Sequence, residues 1–281
     1  MYHLIQDAFG ELNIMKTIFV TDLDGTLLDK TYDYKPVEKF IRKLKAKKVD
    51  VVFSSSKTLE EQEYYREKLR IKDPFIVEIG SAIFIPRDFF SHIYPRTRSV
   101  REYHVIEYGL RIEVIEKLLK DVENVYNVSL KRFTKMTPHE ISEVTGLPLK
   151  MAEWARKRMY SEVIVKGFPN EDEIKEILRR YFHLNVFTSE RLITVVGRAD
   201  KGVALRILEN LYYEEYESIE IIAAGDGEAD IPMILAADLG VYVSNGKRIP
   251  NVLKSKKNVV IVNNREELIE FMLRYLSSSR K

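Results

Sequence analysis

Short apolar runs alternate with amphipathic segments at both ends of this chain. An apolar run predicts a buried strand, and apolar residues at helical spacing predict a helix that packs one face on a core. Near the amino terminus the predicted strands are Thr17–Thr21, Asp50–Phe53, Phe75–Val77 and Ala82–Ile85, and the predicted helices are Pro36–Lys48 and Leu59–Leu69. Near the carboxyl terminus the predicted strands are Ile219–Ala223 and Gly240–Val243, and the predicted helices are Lys201–Leu211, Asp230–Ala236 and Glu266–Leu276. Strands that alternate with helices predict βαβ units and a parallel sheet.

The middle of the chain has a different pattern. Pro86, Pro95 and the basic run Arg96–Arg101 interrupt the alternation. Beyond them the predicted helices are Ile112–Val125, Leu149–Arg158 and Asp172–Tyr181. A further helix is predicted to begin at Pro138, because Thr137 and Glu140 form a capping box around this proline. The predicted strands are Glu162–Val165, Leu184–Phe187 and Leu192–Val196. The middle therefore predicts a small α+β unit.

Together these patterns predict an α/β fold, a doubly wound, Rossmann-like parallel-sheet core with an inserted α+β cap domain. We expect residues 15–85 and 198–281 to form the core and residues 86–197 to form the cap. A cap above a polar site excludes water and contacts the substrate. Residues 1–14 form an N-terminal extension, and both Met1 and Met15 stay open as the natural start, since Met15 leads directly into the first strand.

Composition excludes several classes of protein. The 281 residues are 45% apolar and 31% charged, which is typical of a globular protein. The net charge of +2 does not indicate a nucleic-acid partner. No apolar stretch approaches the roughly 18 residues of a membrane span, and no signal-peptide pattern opens the chain, so we expect a cytoplasmic protein without a membrane partner. The absence of cysteine excludes disulfides, thiolate catalysis and cysteine-bound zinc. The absence of cysteine and the abundance of Lys, Glu and Arg together are typical of a protein from a thermophile.

A pair of carboxylates follows the first predicted strand. Asp22 and Asp24 come directly after the apolar run Ile18–Val20, and Gly25 follows them. Ligands bind beyond the carboxyl ends of strands in open α/β sheets, so the pair lies where a ligand would bind. Adjacent anions repel unless a cation neutralises them, and Mg²⁺ is the natural partner of hard oxygen ligands. The alternative to a ligand site is a polar turn at the end of a strand. A polar turn would explain the two carboxylates by themselves, but it explains the whole string Asp22–Leu27 less well.

Three further polar motifs follow or flank core elements. They are Ser54–Lys57, Asp200–Gly202 and Gly225–Asp230. If the strands are parallel neighbours, these motifs meet the first carboxylate pair at one edge of the sheet. Together they supply what phosphoryl transfer needs, namely a carboxylate nucleophile, a second acid, donors for phosphate oxygens and a fixed positive charge. Each has a plainer interpretation by itself, since serine commonly caps a helix and Asp230 could cap the helix that follows it.

In this order, the four motifs resemble those of the haloacid dehalogenase superfamily of phosphatases, in the Cof-type subclass whose cap lies between the second and third motifs. The resemblance covers nearly the whole chain from Met15. It implies four catalytic residues: Asp22 as nucleophile, Asp24 as general acid and base, Ser55 as a phosphate-binding hydroxyl, and Lys201 as the cation that stabilises the nucleophile and the transferred group. It also implies an Mg²⁺ cofactor, and the expected ligands are Asp22, Asp24 through its backbone carbonyl, Asp226 and Asp230.

Longer stretches are similar to the mannosyl-3-phosphoglycerate phosphatase family. They are Ser55–Thr58, Glu61–Arg66, Pro74–Ile76 and Gly80–Pro86 in the expected core, and Glu140–Ile141, Thr145–Pro148 and Arg158–Glu162 in the expected cap. The similarity implies a small phosphorylated sugar–glycerate substrate and a compatible solute as product.

Six residues are the expected substrate contacts: Lys57, Gly80, Ser81, Arg158, Ser161 and Glu162. An arginine fork suits the carboxylate and phosphate of such a substrate. Two alternatives stay open, a solvated position at a helix end for Arg158 and a structural carboxylate on a strand face for Glu162.

The chain departs from the family patterns at two positions. Ala229 stands where the superfamily motif has an asparagine, and Ile79 stands where the narrower family has one in its Glu-Asn-Gly turn. The first change removes an amide near Asp226, which affects metal affinity and rate more than the type of reaction, and water or Glu228 could substitute. The second removes a polar contact near the substrate.

The sequence therefore predicts an Mg²⁺-dependent phosphatase that hydrolyses mannosyl-3-phosphoglycerate to mannosylglycerate and phosphate through an aspartyl-phosphate. Three alternatives remain: a phosphatase for another sugar phosphate or glycosyl-phosphoglycerate, a mutase that shares the nucleophile, and a non-catalytic phosphoglycoside-binding protein, which the departures at Ala229 and Ile79 motivate. The oligomeric state stays open.

Overall fold

A computed structural model of the chain describes residues 15–91 and 97–278. The strands, in chain order, are β1 (Lys16–Thr21), β2 (Asp50–Ser54), β3 (Phe75–Val77), β4 (Ala82–Pro86), β5 (Arg98–Val100), β6 (Tyr103–Glu107), β7 (Ser161–Val165), β8 (Asn185–Thr188), β9 (Leu192–Val196), β10 (Ile219–Gly225), β11 (Leu239–Val243) and β12 (Val259–Val262). Nine of them form one large sheet in the order β12-β11-β10-β1-β2-β3-β4-β6-β5. The pairs from β12 to β3 are parallel, and the pairs that involve β4, β6 and β5 are antiparallel.

Helices cover both faces of this sheet. In chain order the helices are α1 (Lys35–Ala46), α2 (Leu59–Leu69), α3 (Ile112–Tyr126), α4 (Pro138–Thr145), α5 (Leu149–Ala155), α6 (Glu171–Arg180), α7 (Lys201–Tyr213), α8 (Ile231–Ala236), α9 (Asn251–Lys254) and α10 (Arg265–Ser278). Successive strand residues point to opposite faces, so Phe19 packs with α1, α2 and α10 while Ile18 and Val20 pack with α7 and α8. Because both faces are buried, the central residues of the parallel strands are mainly apolar.

A second, three-stranded antiparallel sheet lies in the middle of the chain, in the order β7-β9-β8. One face packs on α3 and α6, where Ile164 meets Ile115 and Ile174. The other face packs on α4 and α5, where Val163 meets Ile141 and Ala152. The α/β architecture with a mainly parallel sheet and a second α+β layer confirms the predicted fold class.

The segment between the two sheets differs from the expectation. β6 pairs antiparallel with β4, so the strand that ends at Glu107 belongs to the large sheet. The expected cap boundary at residue 86 therefore lies inside this sheet, and we propose that the cap begins after Glu107 instead. The two-domain division itself stays a prediction. β5 has two exposed residues and no apolar run, so only its pairing with β6 makes it a strand.

Some expectations fall outside the described residues or stay untested. The described ranges do not include residues 1–14, and so they do not include Met1. They also leave out Pro95 and Arg96, which interrupt the predicted alternation of strands and helices. No helix in the part of the chain that the structure describes is long and apolar enough to cross a membrane. The cytoplasmic location and the adaptation to heat remain predictions from composition.

An aromatic cluster joins the parallel and antiparallel parts of the large sheet. Phe84 on β4 stacks on Phe75 with ring centroids 5.2 Å apart and meets Tyr103 edge-on at 5.7 Å. We expect Phe84→Ala to lower the free energy of unfolding by about 3–5 kcal/mol, because it opens a cavity in a fully buried site. Urea denaturation measures this loss. Val125→Ala, at a side chain that is 80% exposed, is the control and should change stability by less than about 0.5 kcal/mol. Equal stability of both variants would contradict this packing.

Candidate active site

Two neighbouring parallel strands bring two of the predicted carboxylates together. β1 pairs with β10 so that Thr21 lies opposite Ala224, and the backbone N–H of Asp22 donates to the Ala224 carbonyl at 2.9 Å. Asp226 directly follows the last residue of β10. The register of two buried strands therefore sets Asp22 and Asp226 side by side at the carboxyl edge of the sheet.

Three buried carboxylates form a cluster at this edge. One oxygen from each of Asp22, Asp226 and Asp230 lies within 4.8 Å of the other two. Nζ of Lys201, in the first turn of α7, donates to Oδ1 of Asp22 at 2.7 Å and to Oδ1 of Asp230 at 2.5 Å. One buried lysine does not balance three carboxylates, so the cluster could hold a metal ion, and its hard oxygen donors fit Mg²⁺.

The titration of Asp22 shows how strongly the cluster needs positive charge. Burial raises the pKa of Asp22, Lys201 opposes that shift, and the neighbouring carboxylates Asp230 and Asp226 add to it, so that the pKa is about 8. Such a group is anionic at neutral pH only beside further positive charge, and a divalent cation supplies that charge.

Asp230 has structural contacts through both oxygens. Its Oδ2 accepts from the backbone N–H groups of Asp226 and Gly227, at 3.0 and 2.9 Å, and its Oδ1 pairs with Lys201. These contacts match the plainer interpretation of this residue as a turn-stabilising carboxylate, although it also lies within the cluster.

Asp24 lies apart from the three clustered carboxylates. Its Oδ2 is 2.8 Å from Nζ of Lys57, a lysine that is only 4% exposed. The ammonium group also lies over the rings of Tyr32 and Tyr65, at 5.1 and 5.8 Å from their centroids. Oδ1 of Asp24 is buried and has no hydrogen-bond partner among the described residues. If Asp24 transfers protons, Oδ1 is therefore its uncommitted oxygen.

A cavity of about 570 Å³ opens beside Asp24, between the two sheets. Its lining includes the core residues Asp24, Tyr32 and Lys57, and the residues Phe133, Arg158 and Arg191 from the middle of the chain. Two of the expected substrate residues, Lys57 and Arg158, thus line one cavity together with the expected acid.

The turn Glu78–Gly80 links the large sheet to the middle of the chain. The Glu78 carboxylate is fully buried, and burial raises its pKa, whereas Arg158 lowers it. Its oxygens accept from the backbone N–H of Met159 at 2.8 Å, from that of Tyr160 at 3.0 Å and from Oγ of Ser161 at 2.7 Å. All three donors belong to the expected cap.

Arg158 completes this link from the other side. Its Nη2 donates to the carbonyl of Ser56 at 2.6 Å, its Nε donates to Oγ of Ser161 at 2.8 Å, and it lies 3.9 Å from Glu78. The solvated alternative for Arg158 is wrong, because α5 ends at Ala155 and the arginine is only 8% exposed.

Three expected substrate residues make structural contacts instead. Glu162 is fully buried, accepts from the Thr134 hydroxyl and from the backbone N–H of Val163, and has a pKa that burial raises. Ser81 donates to the Glu78 carbonyl at 2.7 Å. Gly80 has a φ of 83°, and a Cβ there would lie 2.1 Å from the Asp200 carbonyl oxygen. These contacts favour the structural alternative for Glu162.

Ser55 and Ile79 are neighbours. Ser55 directly follows β2, its Oγ accepts from the backbone N–H of Lys57 at 3.3 Å, and its carbonyl accepts from the backbone N–H of Ile79 at 3.1 Å. Ile79 is only 2% exposed and has a φ of 61°. The departure at this position therefore places an apolar side chain in the protein interior.

Three groups around the site are not among the residues expected from the sequence. They are the carboxylate of Glu78 and the side chains of Asn245 and Lys247, which contact Gly25 and Asp226. The Asn245–Gly246 pair after a strand is a turn signal. No sequence signal shows which loop this turn faces, because that depends on the order of the strands in the sheet.

Comparison with known proteins identifies the family. The family model for haloacid dehalogenase-like hydrolases matches residues 19–272. The chain is 40% identical over 232 residues, 83% of this chain and 92% of the relative, to a mannosyl-3-phosphoglycerate phosphatase of Pyrococcus furiosus. It is 34% identical over 243 residues, 85% of this chain and 89% of the relative, to a glucosyl-3-phosphoglycerate/mannosyl-3-phosphoglycerate phosphatase of Methanococcoides burtonii.

A solved structure shares the fold. The crystal structure of a haloacid dehalogenase-like hydrolase from Bacteroides thetaiotaomicron matches with a TM-score of 0.68 and 17% identity, over 92% of this chain and 99% of that chain. The family resemblance predicted from the four motifs is confirmed.

The contacts of Glu78 predict its contribution to stability. We expect Glu78→Ala to lower the free energy of unfolding by about 3–5 kcal/mol, because it leaves buried Arg158 without its carboxylate partner. Glu78→Gln should lose less, since an amide oxygen still accepts from the backbone N–H groups. Chemical denaturation measures both. Glu143→Ala, at an exposed glutamate on α4, is the control and should shift stability by less than about 0.5 kcal/mol. A Glu78→Ala variant as stable as this control would contradict the proposed link.

Proposed function

The chain belongs to the haloacid dehalogenase-like hydrolases and is a phosphoric monoester hydrolase, and from that premise we propose that it hydrolyses mannosyl-3-phosphoglycerate with Mg²⁺ as cofactor. The products would be mannosylglycerate and phosphate. The observation that carries the proposal is the buried pair of Asp22 and Lys201, because Asp24, two residues after Asp22, lines the cavity together with Arg158. The names of two relatives supply the substrate.

We assign the attack on phosphorus to Asp22. Its carboxylate oxygen forms a bond to phosphorus while the bond to the glycerate oxygen breaks, which yields an aspartyl-phosphate. Lys201 fixes the orientation of Asp22 through the 2.7 Å contact and offsets charge as phosphoryl oxygens approach. The backbone and hydroxyl of Ser55 are the proposed donors to those oxygens.

We assign the proton transfers to Asp24. Its unbonded Oδ1 would give a proton to the departing glycerate oxygen and then take one from the water that attacks the aspartyl-phosphate. That second attack releases phosphate and restores the Asp22 carboxylate. Lys57, which holds the other oxygen of Asp24, would keep the carboxyl group turned toward the cavity.

The carboxylates of Asp22 and Asp226 and the backbone carbonyl of Asp24 would hold the Mg²⁺. Its charge would offset the negative charge of the phosphoryl oxygens. We assign Asp230 mainly to positioning, because its oxygens already accept from Lys201 and from two backbone N–H groups.

The anionic end of the substrate would meet two basic side chains, each near a carboxylate partner, in the cavity. Arg158 and Lys57 line it together, and both side chains are largely buried, so that solvent screens their charges little. We propose that they contact the glycerate carboxylate or the phosphate. A glucosyl analogue is a second candidate substrate, because the relative from Methanococcoides burtonii is named for both sugars.

The assignment of Asp22 predicts the effect of an isosteric change. Asp22→Asn should reduce phosphate release from mannosyl-3-phosphoglycerate to the level of buffer, since an amide is a poor nucleophile. Asp24→Asn should reduce it by about 10²–10⁴-fold, the usual contribution of general acid–base catalysis. A phosphate-release assay measures both. Asp172→Asn, at a carboxylate with a 96% exposed side chain, is the control and should keep full activity. Full activity of Asp22→Asn would exclude the proposed mechanism.

The proposed substrate and cofactor can be tested together. We expect phosphate release from mannosyl-3-phosphoglycerate that stops with a chelator and returns with added Mg²⁺, and slower or equal release from the glucosyl analogue. A panel of other sugar phosphates should react more slowly. Faster release from a different sugar phosphate would move the substrate assignment to that compound. An isomerised phosphate ester without free phosphate would indicate a mutase, and tight ligand binding without hydrolysis would indicate a binding protein.

A further inference from the structure

A tight turn after β11 lies against the carboxylate cluster. Asn245 and Gly246 have positive φ angles of 48° and 76°, and the backbone N–H of Lys247 closes the turn on the Ser244 carbonyl at 2.7 Å. Two successive positive φ angles are typical of an Asn-Gly turn. The edge strand β12 supports the turn, because the backbone N–H of Asn245 donates to the Asn263 carbonyl at 3.0 Å.

The Asn245 amide joins the two loops that carry the clustered carboxylates. Its Nδ2 donates to the Gly25 carbonyl at 2.6 Å and lies 3.5 Å from Oδ2 of Asp226. The two loops touch at this point, since a Cβ on Gly25 would lie 2.5 Å from Oδ2 of Asp226. One amide therefore fixes the position of Asp226 relative to the loop that contains Asp22 and Asp24.

Lys247 brings a second positive charge to the cluster. Its Nζ bonds to Oδ2 of Asp226, while 55% of its side chain stays exposed. Lys201, by contrast, is buried and bonds to Asp22 and Asp230. The contact of Lys247 is thus on the solvent side of the cluster, on the carboxylate with which no other lysine forms an ion pair among the described residues.

We infer that Asn245 and Lys247 set the affinity of the carboxylate cluster for a divalent cation, in opposite directions. Asn245 raises the affinity because it holds Asp226 in place. Lys247 lowers it because its ammonium group competes with the cation for the same carboxylate. This inference rests on the proposed metal dependence, and it assigns to the turn after β11 the amide that Ala229 does not supply.

Calorimetric titration of Mg²⁺ into the metal-stripped full chain tests both assignments. Asn245→Gly should weaken Mg²⁺ binding by about 10-fold or more, the usual effect of losing a group that orients a metal ligand. Glycine is the suitable replacement because it accepts the positive φ. Lys247→Gln should tighten binding by about 2- to 5-fold, which corresponds to the strength of an exposed ion pair. The Mg²⁺-dependent rise in melting temperature should change in the same directions.

Two matched controls separate these effects from loss of stability. Asn127→Gly alters an exposed asparagine at the carboxyl end of α3 that also has a positive φ, of 49°. Lys256→Gln removes an exposed lysine beyond the turn after β11. Both controls should bind Mg²⁺ as the unaltered chain does, and the metal-free melting temperature shows whether each variant is folded.

The possible results have distinct meanings. Weaker binding by Asn245→Gly and tighter binding by Lys247→Gln support the inference. Unchanged affinity in both, with normal binding by the unaltered chain, overturns the inference and leaves the proposed function intact. If the unaltered chain does not bind Mg²⁺, both the metal dependence and the inference are wrong.

Discussion

Mutual repulsion among buried carboxylates is the constraint on which the rest of this structure depends. Asp22, Asp226 and Asp230 come within 4.8 Å of one another where water is largely excluded, and each would carry a negative charge in solution at neutral pH. Burial raises the pKa of Asp22, and the charges of Asp230 and Asp226 raise it further. Such a cluster persists only if cations and N–H donors surround it, so its neighbours must be fixed in place by the fold.

The fold supplies those neighbours from separate parts of the chain. Lys201 lies in the first turn of α7, and Lys247 lies in the turn after β11. Two backbone N–H groups of the turn after β10 donate to Asp230. Parallel strands make this possible because their carboxyl ends meet at one edge of the sheet. The charges that destabilise the cluster when unpaired are therefore also the groups that could hold a cation.

The link between core and cap depends on a strained turn. Glu78, Ile79 and Gly80 all have positive φ angles, which is unfavourable for a β-branched residue such as Ile79. The strain persists because Glu78 bonds to three groups of the expected cap and Gly80 packs on the Asp200 carbonyl next to Lys201. One short turn thus fixes the position of Arg158, which lines the cavity, relative to Lys201 and the Asp22 carboxylate that it contacts.

The sequence by itself determined most of the alternation of elements, the family and the groups that could do the chemistry, because apolar periodicity and the short motifs around Asp22, Asp24 and Lys201 are local signals. It did not predict β5, β6, β12 or α9. It did not determine which polar groups meet. The contacts of Glu78 with Ser161 and Arg158, and those of Asn245 with Gly25, join residues far apart in the chain. The pairing of β6 with β4 likewise makes residues 103–107 a strand of the large sheet. Only tertiary structure decided these contacts, since they depend on strand order and on which loops share one edge of the sheet.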